Sequence, residues 1–214
     1  MTTKALRRIA AILALILAVE VAGIAALVSS ARGTVTAGAA AIKLDDAGMR
    51  HGVSLYTQLD ERWGGLPYAE GTVSTSGCGL VCAAMAWEWL SGETCTPPML
   101  LNLVGNDYVQ EGQNYMPGFC EWMKQRDPTL DYTVLYESRE RALEESEGGR
   151  MVFACMEGAL YEGGREYGGH VVLITGVEGG RIEIHDPMTA YEVSLTREEF
   201  DGVAWAYFIS IGRS

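Results

Sequence analysis

Three residues that lie far apart in this sequence have the side chains needed for nucleophilic catalysis: a cysteine, a histidine and an aspartate. The cysteine, Cys78, stands between two glycines in SGCGLVC, where a polar loop changes into an apolar run. A thiol at a helix N-terminus lies near unpaired backbone N–H groups and the positive end of the helix dipole, which favour the thiolate. The same position also suits a small buried residue at a tight turn. Cys78 alone therefore leaves both interpretations open.

The histidine and the aspartate belong to two neighbouring apolar segments. His170 begins the run Val-Val-Leu-Ile, and Asp186 follows the alternating run Arg-Ile-Glu-Ile-His. Glu178-Gly-Gly joins the two runs, which predicts a β-hairpin. A three-residue loop, with Val177 paired to Arg181, places Asp186 beside His170. A two-residue loop puts the two side chains on opposite faces. The sequence is compatible with both registers.

In the first register these side chains form a set suited to acyl transfer. A carboxylate beside an imidazole holds its tautomer and orientation, and the imidazole then acts as general base toward a nucleophile such as Cys78. We expect Gly77 and Gly79 to be glycines because the backbone there must approach a substrate without a side chain in the way. The pattern predicts a thiol nucleophile.

Four segments resemble the bacterial double-glycine peptidase-like cysteine peptidases, the family-39 type of the papain-like superfamily. They are, in chain order, YTQLDERWGGLPY, SGCGLVCAAMAW, GGHVVLITGV and IEIHDP. The resemblance implies that Cys78 is the catalytic cysteine, His170 the catalytic histidine and Asp186 the third member. It also implies that Gln58 helps to form the oxyanion hole, a role in which an amide N–H stabilises a developing negative charge. Without the resemblance Gln58 reads as an ordinary loop residue.

The predicted elements change from helices in the first half of the chain to strands in the second half. Together with the resemblance, this order predicts an α+β fold of the papain-like cysteine peptidase type, in which N-terminal helices pack on an antiparallel β-sheet. Predicted helices cover residues 78–90, 97–104, 118–126 and 138–147, the last of them exposed and acidic, and a short helix follows the capping box Thr196 to Glu199. Predicted strands cover residues 53–57, 132–136, 151–155, 170–177, 181–185 and 204–211.

The N-terminal segment has the composition of a transmembrane helix. Lys4, Arg7 and Arg8 precede Ile9–Val28, a run of 20 residues that only Glu20 interrupts. A helix of this length spans about 30 Å, the thickness of one hydrocarbon core. The basic end is expected to stay in the cytoplasm, so the rest of the chain is expected to face outward.

The length of this segment favours an anchor that is not cleaved. A signal peptide has an apolar region of about 7 to 15 residues, so we expect a single-pass protein of the cell membrane with an extracellular catalytic domain. The small-x-small sequence Ser29-Ser30-Ala31 makes cleavage near Ala31, followed by secretion, the alternative. The predicted parts are residues 1–31, a basic end and transmembrane signal-anchor; residues 32–50, a flexible tether; and residues 51–214, the papain-like cysteine peptidase-like domain.

Charge and cysteine content limit the partners. The chain has a net charge of −12 at pH 7 and no basic stripe, so nucleic acid is not an expected partner. We expect a peptide or protein substrate, a membrane contact through the N-terminal helix and no cofactor.

No metal site is predicted, because Cys78 and Cys82 have no second close pair of ligands. Besides Cys78 the chain has four cysteines, Cys82, Cys95, Cys120 and Cys155. They allow three pairings, and we expect one disulfide or none.

Two other functions are compatible with the same residues. One is a catalytically silent surface module that keeps the fold and binds a peptide or a cell-wall fragment. The other is a cell-wall amidase or endopeptidase of the related Cys-His type. Those enzymes usually carry an acidic residue before the cysteine and a serine after it, whereas Gly77 and Gly79 flank Cys78 here. We therefore favour a peptidase.

Overall fold

The first half of the fold consists of helices and two very short hairpins. The computed structural model describes residues 52–136 and 138–214. In chain order the first elements are β1 (Pro67–Tyr68), β2 (Gly71–Thr72), α1 (Val73–Ser76), α2 (Cys78–Ser91), α3 (Pro97–Val104), β3 (Val109–Gln110), β4 (Gln113–Asn114) and α4 (Met116–Arg126). Gly92 caps the C-terminal end of α2, and its φ of 72° is a left-handed conformation that glycine adopts without strain.

The second half supplies a six-stranded antiparallel sheet. Its elements are β5 (Leu130–Tyr136), α5 (Arg139–Glu147), β6 (Met151–Gly158), β7 (Tyr167–Glu178), β8 (Arg181–His185), β9 (Val193–Thr196), α6 (Arg197–Gly202) and β10 (Ala204–Arg213). The strand order is β5-β10-β6-β7-β8-β9. The predicted α+β class with an antiparallel sheet is therefore confirmed.

The sheet is covered on both faces, because its central strands are apolar on both sides. Every residue from His170 to Gly176 in β7 is buried. Val171 and Leu173 belong to the core that α2 and α4 share with the sheet, and Val172 belongs to a second core beneath α5 and α6. Helix α5 was predicted to be exposed, but Leu143 and its neighbours pack against the sheet. The helices therefore form two layers rather than one.

The hairpin β7–β8 combines a tight turn with a bulge. Glu178 pairs with Arg181, so the turn has two residues, glycines with φ of 59° and 81°. Of the two loops that the sequence allowed, the structure has the two-residue one, and Val177 does not pair with Arg181. The register then shifts by one residue between Ile174 and Gly176, and Ile174 pairs with Ile184 as the three-residue loop would have required. The bulge thereby restores the register that brings His170 and Asp186 to the same face.

The segment 53–57 is not a strand, which corrects the sequence prediction. It has no regular secondary structure and pairs with none of the described strands. Val53 and Leu55 are buried against the helices, and the backbone N–H of Tyr56 points to Met85 Sδ of α2 at 3.2 Å. The alternation of apolar residues reflects packing on a helix. Four further features escaped prediction: the hairpin β1–β2, helix α1, the hairpin β3–β4 and strand β9.

Several sequence predictions concern residues outside those described. They are the basic end, the transmembrane segment Ile9–Val28, the tether 32–50 and His51. Within residues 52–136 and 138–214, no helix combines the length and apolar character needed to cross a membrane.

Glu88 of α2 anchors the segment 53–57. Its carboxylate accepts hydrogen bonds from the Ser54 hydroxyl, the Tyr56 hydroxyl at 2.8 Å and the Cys95 backbone N–H at 2.8 Å. Hydrogen bonds to a charged group contribute more than neutral ones, and a lost partner leaves these donors unpaired. The carboxylate therefore fixes the path of the chain that leads to Gln58.

We expect Glu88→Ala to lower the free energy of unfolding by about 2 to 3 kcal/mol, because three donors lose their acceptor. Urea denaturation followed by circular dichroism measures the change. The matched control is Glu93→Ala, which removes an exposed carboxylate just beyond the same helix. Equal stability of the two variants would contradict the anchoring role.

Candidate active site

Cys78 lies where α1 ends and α2 begins. It is the first residue of α2 and is partly exposed. Gly77 separates the two helices and donates its backbone N–H to Val73 O at 2.8 Å. The thiol therefore lies at the N-terminus of a 14-residue helix, where unpaired N–H groups and the helix dipole favour negative charge.

The two flanking glycines are required for packing. Both are buried. A Cβ on Gly77 would lie 2.5 Å from Val73 O, and a Cβ on Gly79 would overlap Asn114 and lie 2.7 Å from Met116 Sδ. Packing by itself therefore accounts for both glycines. They allow α1 and the β3–β4 hairpin to pack closely around Cys78.

His170 and Asp186 form a buried pair. The Nε2 atom of His170 and Oδ1 of Asp186 are 2.8 Å apart, and each residue has 4% or less of its surface exposed. The Met188 backbone N–H also donates to Asp186 Oδ1 at 2.8 Å, which fixes the carboxylate. Because Nε2 is occupied by Asp186, the second ring nitrogen, Nδ1, is left for Cys78.

The environment of His170 favours the imidazolium form. Burial alone lowers the pKa of His170, but hydrogen bonds with Asp186 and Cys78, and the charges of both, outweigh it and raise the pKa to about 9. A protonated imidazole beside a sulfur stabilises the thiolate in return. The three side chains are therefore electrostatically coupled.

Tyr167 covers one face of the His170 ring, a contact that the sequence did not reveal. The two rings are stacked with centroids 4.1 Å apart and an interplanar angle of 14°. Burial, followed by the charge of Asp186, raises the pKa of Tyr167 to about 12. Tyr167 therefore remains neutral and shields the imidazole from water.

Gln58 is buried beside α1, with its amide orientation fixed. Its Nε2 donates to Ser74 O at 2.8 Å, and its backbone N–H donates to Pro187 O at 2.7 Å. The second bond joins Gln58 to the loop that follows Asp186. An amide nitrogen carries two hydrogens, so one donor remains for a substrate oxygen after the bond to Ser74.

Asn114, at the end of β4, is the site residue that the sequence analysis missed. Its Nδ2 lies 3.6 Å from Cys78 Sγ, within hydrogen-bond range for sulfur, and 2.9 Å from Ser76 O. The residue occurs in a polar stretch, EGQN, without a motif that would mark it. Only the lack of a side chain at Gly79 hints that another group packs there.

The other four cysteines differ from Cys78. All five cysteines lie in the described part of the chain and all are free thiols. Burial raises the pKa of each of the other four, to about 11 for Cys95 and about 12 for Cys155. Protonated, enclosed thiols are poor nucleophiles. Among the described residues, no group of three or more potential ligands could hold a metal ion.

Comparison with known proteins gives structural matches only. No protein-family model matches the chain, and no curated protein is significantly similar to it. A structure described as a C39-like peptidase from Bacillus anthracis has a TM-score of 0.52 and 18% identity, over 76% of this chain and 95% of that one. The chain shares that C39-like peptidase fold.

Two more matches have lower TM-scores. A double glycine motif protease from an AMS/PCAT transporter, solved with its leader peptide, has a TM-score of 0.47 and 16% identity, over 77% of this chain and 94% of that one. The N-terminal peptidase C39-like domain of a toxin secretion ATP-binding protein from Vibrio parahaemolyticus has a TM-score of 0.39 and 11% identity, over 64% of this chain and 97% of that one.

We expect Cys78→Ala to lower the pKa of His170, because one of its two hydrogen-bond partners and a nearby negative charge are lost. Asp186→Asn should lower it as well, since an amide cannot offset the imidazolium charge. NMR titration of the imidazole measures the midpoint, which should lie near 9 in the unmodified chain. An unchanged midpoint in both variants would refute the coupling.

The same shift makes stability depend on pH. The pKa of His170 is higher in the folded chain than the 6.5 of the unfolded one. Its contribution to the free energy of unfolding is therefore fully present below about pH 6.5 and is lost as the pH rises through about 9. Urea denaturation across this range should show the decline, and it should be smaller in Cys78→Ala.

Proposed function

We propose that this chain is a cysteine peptidase in which Cys78, His170 and Asp186 act as a catalytic triad. The observation that carries the proposal is the buried His170 ring, which bonds to Asp186 at 2.8 Å and has Cys78, at a helix N-terminus, as its second partner. A nucleophile, a base and a group that orients the base are the parts that covalent catalysis by a thiol requires.

The reaction follows from this arrangement. The Cys78 thiol transfers its proton to His170 Nδ1, and the sulfur attacks the carbonyl carbon of a peptide bond. The tetrahedral intermediate collapses with cleavage of the C–N bond, and His170 gives its proton to the leaving amine. Water then attacks the thioester, with His170 accepting one of its protons. Breakdown of the second intermediate releases a carboxylic acid, and the thiol is restored.

Gln58 is proposed to stabilise the oxyanion that forms in both steps. Its side-chain N–H, as the resemblance implies, is one donor, and the backbone N–H of Cys78 at the start of α2 is the other. Preorganised donors aimed at a developing negative charge contribute more than donors that must reorient. The Gln58 amide is held by Ser74 O and its backbone by Pro187 O, so it is preorganised.

A peptide or protein is the proposed substrate. The C39-like peptidase fold supports this class, as does the buried His170–Asp186 pair, which can orient the general base for amide hydrolysis. The N-terminal sequence supports a location at the cell membrane. Lys4, Arg7 and Arg8 precede the apolar run Ile9–Val28, so we propose a single-pass anchor with the peptidase domain outside.

We expect Cys78→Ala and His170→Ala to lose hydrolysis of a fluorogenic peptide library and labelling by a thiol-directed, peptide-based activity probe. Gln58→Ala should still be labelled by the probe at Cys78, but its kcat should fall by about 100-fold, because one oxyanion donor is lost. The matched control is Cys95→Ala, which removes a buried thiol outside the proposed triad. It should keep full activity.

Equal probe labelling of the unmodified chain and His170→Ala would refute the triad. Binding of peptides without turnover by the unmodified chain would favour the silent surface module instead. Hydrolysis confined to cell-wall peptides would favour the amidase or endopeptidase.

Membrane anchoring predicts that the full chain remains in the membrane fraction after alkaline carbonate extraction. Protease added to intact cells should digest the domain, since it is expected to face outward. A shortened, soluble product beginning near Ala31 would instead indicate cleavage and secretion.

A further inference from the structure

We infer that Asn114 is a further catalytic residue, which donates a side-chain amide hydrogen bond to the Cys78 sulfur and stabilises it as the thiolate nucleophile. The inference rests on the proposed function, since it assigns a role in the same reaction. Its foundation is the 3.6 Å distance between Asn114 Nδ2 and Cys78 Sγ. Sulfur is large and diffuse, so hydrogen bonds to it are longer than those to oxygen.

All polar groups of the Asn114 amide have partners that set its orientation. The Tyr68 hydroxyl donates to Asn114 Oδ1 at 2.7 Å, and Nδ2 donates to Ser76 O at 2.9 Å. The remaining hydrogen on Nδ2 is directed to Cys78 Sγ. An exchange of the amide oxygen and nitrogen would place two acceptors together at Ser76 O, so the donor must face the sulfur.

Tyr68 is suited to hold this amide at any physiological pH. It has 1% of its surface exposed. Burial, and then the charge of Cys78, raises its pKa far above the usual range, so its hydroxyl keeps its proton. The Tyr68 hydroxyl is therefore the donor in its hydrogen bond with Asn114 Oδ1.

The backbone brings Asn114 to the sulfur through a tight hairpin. Strands β3 and β4 are joined by Glu111 and Gly112, with φ of 50° and 76°. A positive φ is unusual for a glutamate, so the surrounding contacts must stabilise this turn. The absent side chain at Gly79 provides the space that Asn114 occupies.

The role differs from that of Gln58. Gln58 bonds to Ser74 O and is proposed to act on the oxygen of the substrate. Asn114 contacts the attacking atom itself before any substrate is bound. A hydrogen bond to a charged atom is stronger than one to a neutral atom, so this donor favours the thiolate over the thiol. In the reaction it lowers the free energy needed to transfer the Cys78 proton to His170.

The test measures the reactivity of Cys78 without a peptide substrate. Full-length protein is alkylated with iodoacetamide at pH 7, and mass spectrometry follows the peptide that contains Cys78. We expect Asn114→Ala to lower the rate constant about ten-fold, because a charge-assisted hydrogen bond is lost. Asn114→Asp keeps the acceptor for Tyr68 but adds negative charge beside the sulfur, so it should lower the rate further.

Asn106→Ala and Asn106→Asp are the matched controls. Asn106 Oδ1 accepts a hydrogen bond from the Ala69 backbone N–H at 2.9 Å and supports the loop after Tyr68. These variants should change the thermal unfolding temperature at most, with the alkylation rate unchanged. A purely structural Asn114 predicts the same pattern for its own variants, which would overturn the inference.

Tyr68→Phe keeps the inference testable if the Asn114 variants do not fold. It retains the amide but removes the hydroxyl that orients it, so the alkylation rate should fall about three-fold, less than the loss of the amide itself. An unchanged rate in a folded Tyr68→Phe would contradict the role of the fixed orientation and, with it, the inference.

Peptide hydrolysis separates this inference from the proposed function. If the chain is a peptidase, Asn114→Ala should lower kcat and leave KM unchanged, because the amide contacts the nucleophile and not the substrate. If no peptide is hydrolysed, the proposed function fails, and the alkylation rates alone still decide the role of Asn114.

Discussion

The register between β7 and β8 is the constraint on which the site depends. The tight glycine turn alone would place Asp186 on the face opposite His170, because side chains alternate along a strand. One extra residue in β7, Thr175, shifts the pairing and brings the two side chains together. A bulge interrupts the ladder, but the Thr175 hydroxyl donates to Glu183 O at 3.3 Å and offsets part of that loss. The His170–Asp186 pair thus requires a local irregularity in an otherwise regular hairpin.

The second constraint is the close packing of α2 on the sheet. Most of this helix is buried, and the Cys82 thiol donates to Val171 O in β7 at 3.4 Å, next to His170 in the sequence. Because Cys82 lies one helical turn after Cys78, the contact that fixes the helix on the sheet also sets how far Cys78 lies from His170. Burial raises the pKa of the Cys82 thiol and keeps it protonated. Cys82 therefore serves to pack the helix on the sheet, while Cys78, one turn earlier, is the proposed nucleophile.

Sequence reasoning succeeded where local chemistry determines the structure. Helix α3 (97–104) begins at two prolines and ends before a glycine, and strand β8 (181–185) lies between a glycine turn and Asp186-Pro187, so both were predicted with the observed bounds. It failed where distant packing decides. No local pattern distinguishes an irregular segment packed on α2 from a strand, marks Thr175 as a bulge, or indicates that Asn114 fills the space beside Gly79.

The side chains proposed to act with Cys78 are held by different parts of the chain. Pro187 O fixes Gln58, so the segment with the proposed oxyanion donor is attached to the loop that carries Asp186. Tyr68, which precedes α1, fixes Asn114 on the β3–β4 hairpin. Because every one of these contacts is long-range, the site forms only when the helical half and the sheet are packed together. A partly folded chain would therefore carry an isolated thiol, and the coupling of Cys78 to His170 is a property of the complete fold.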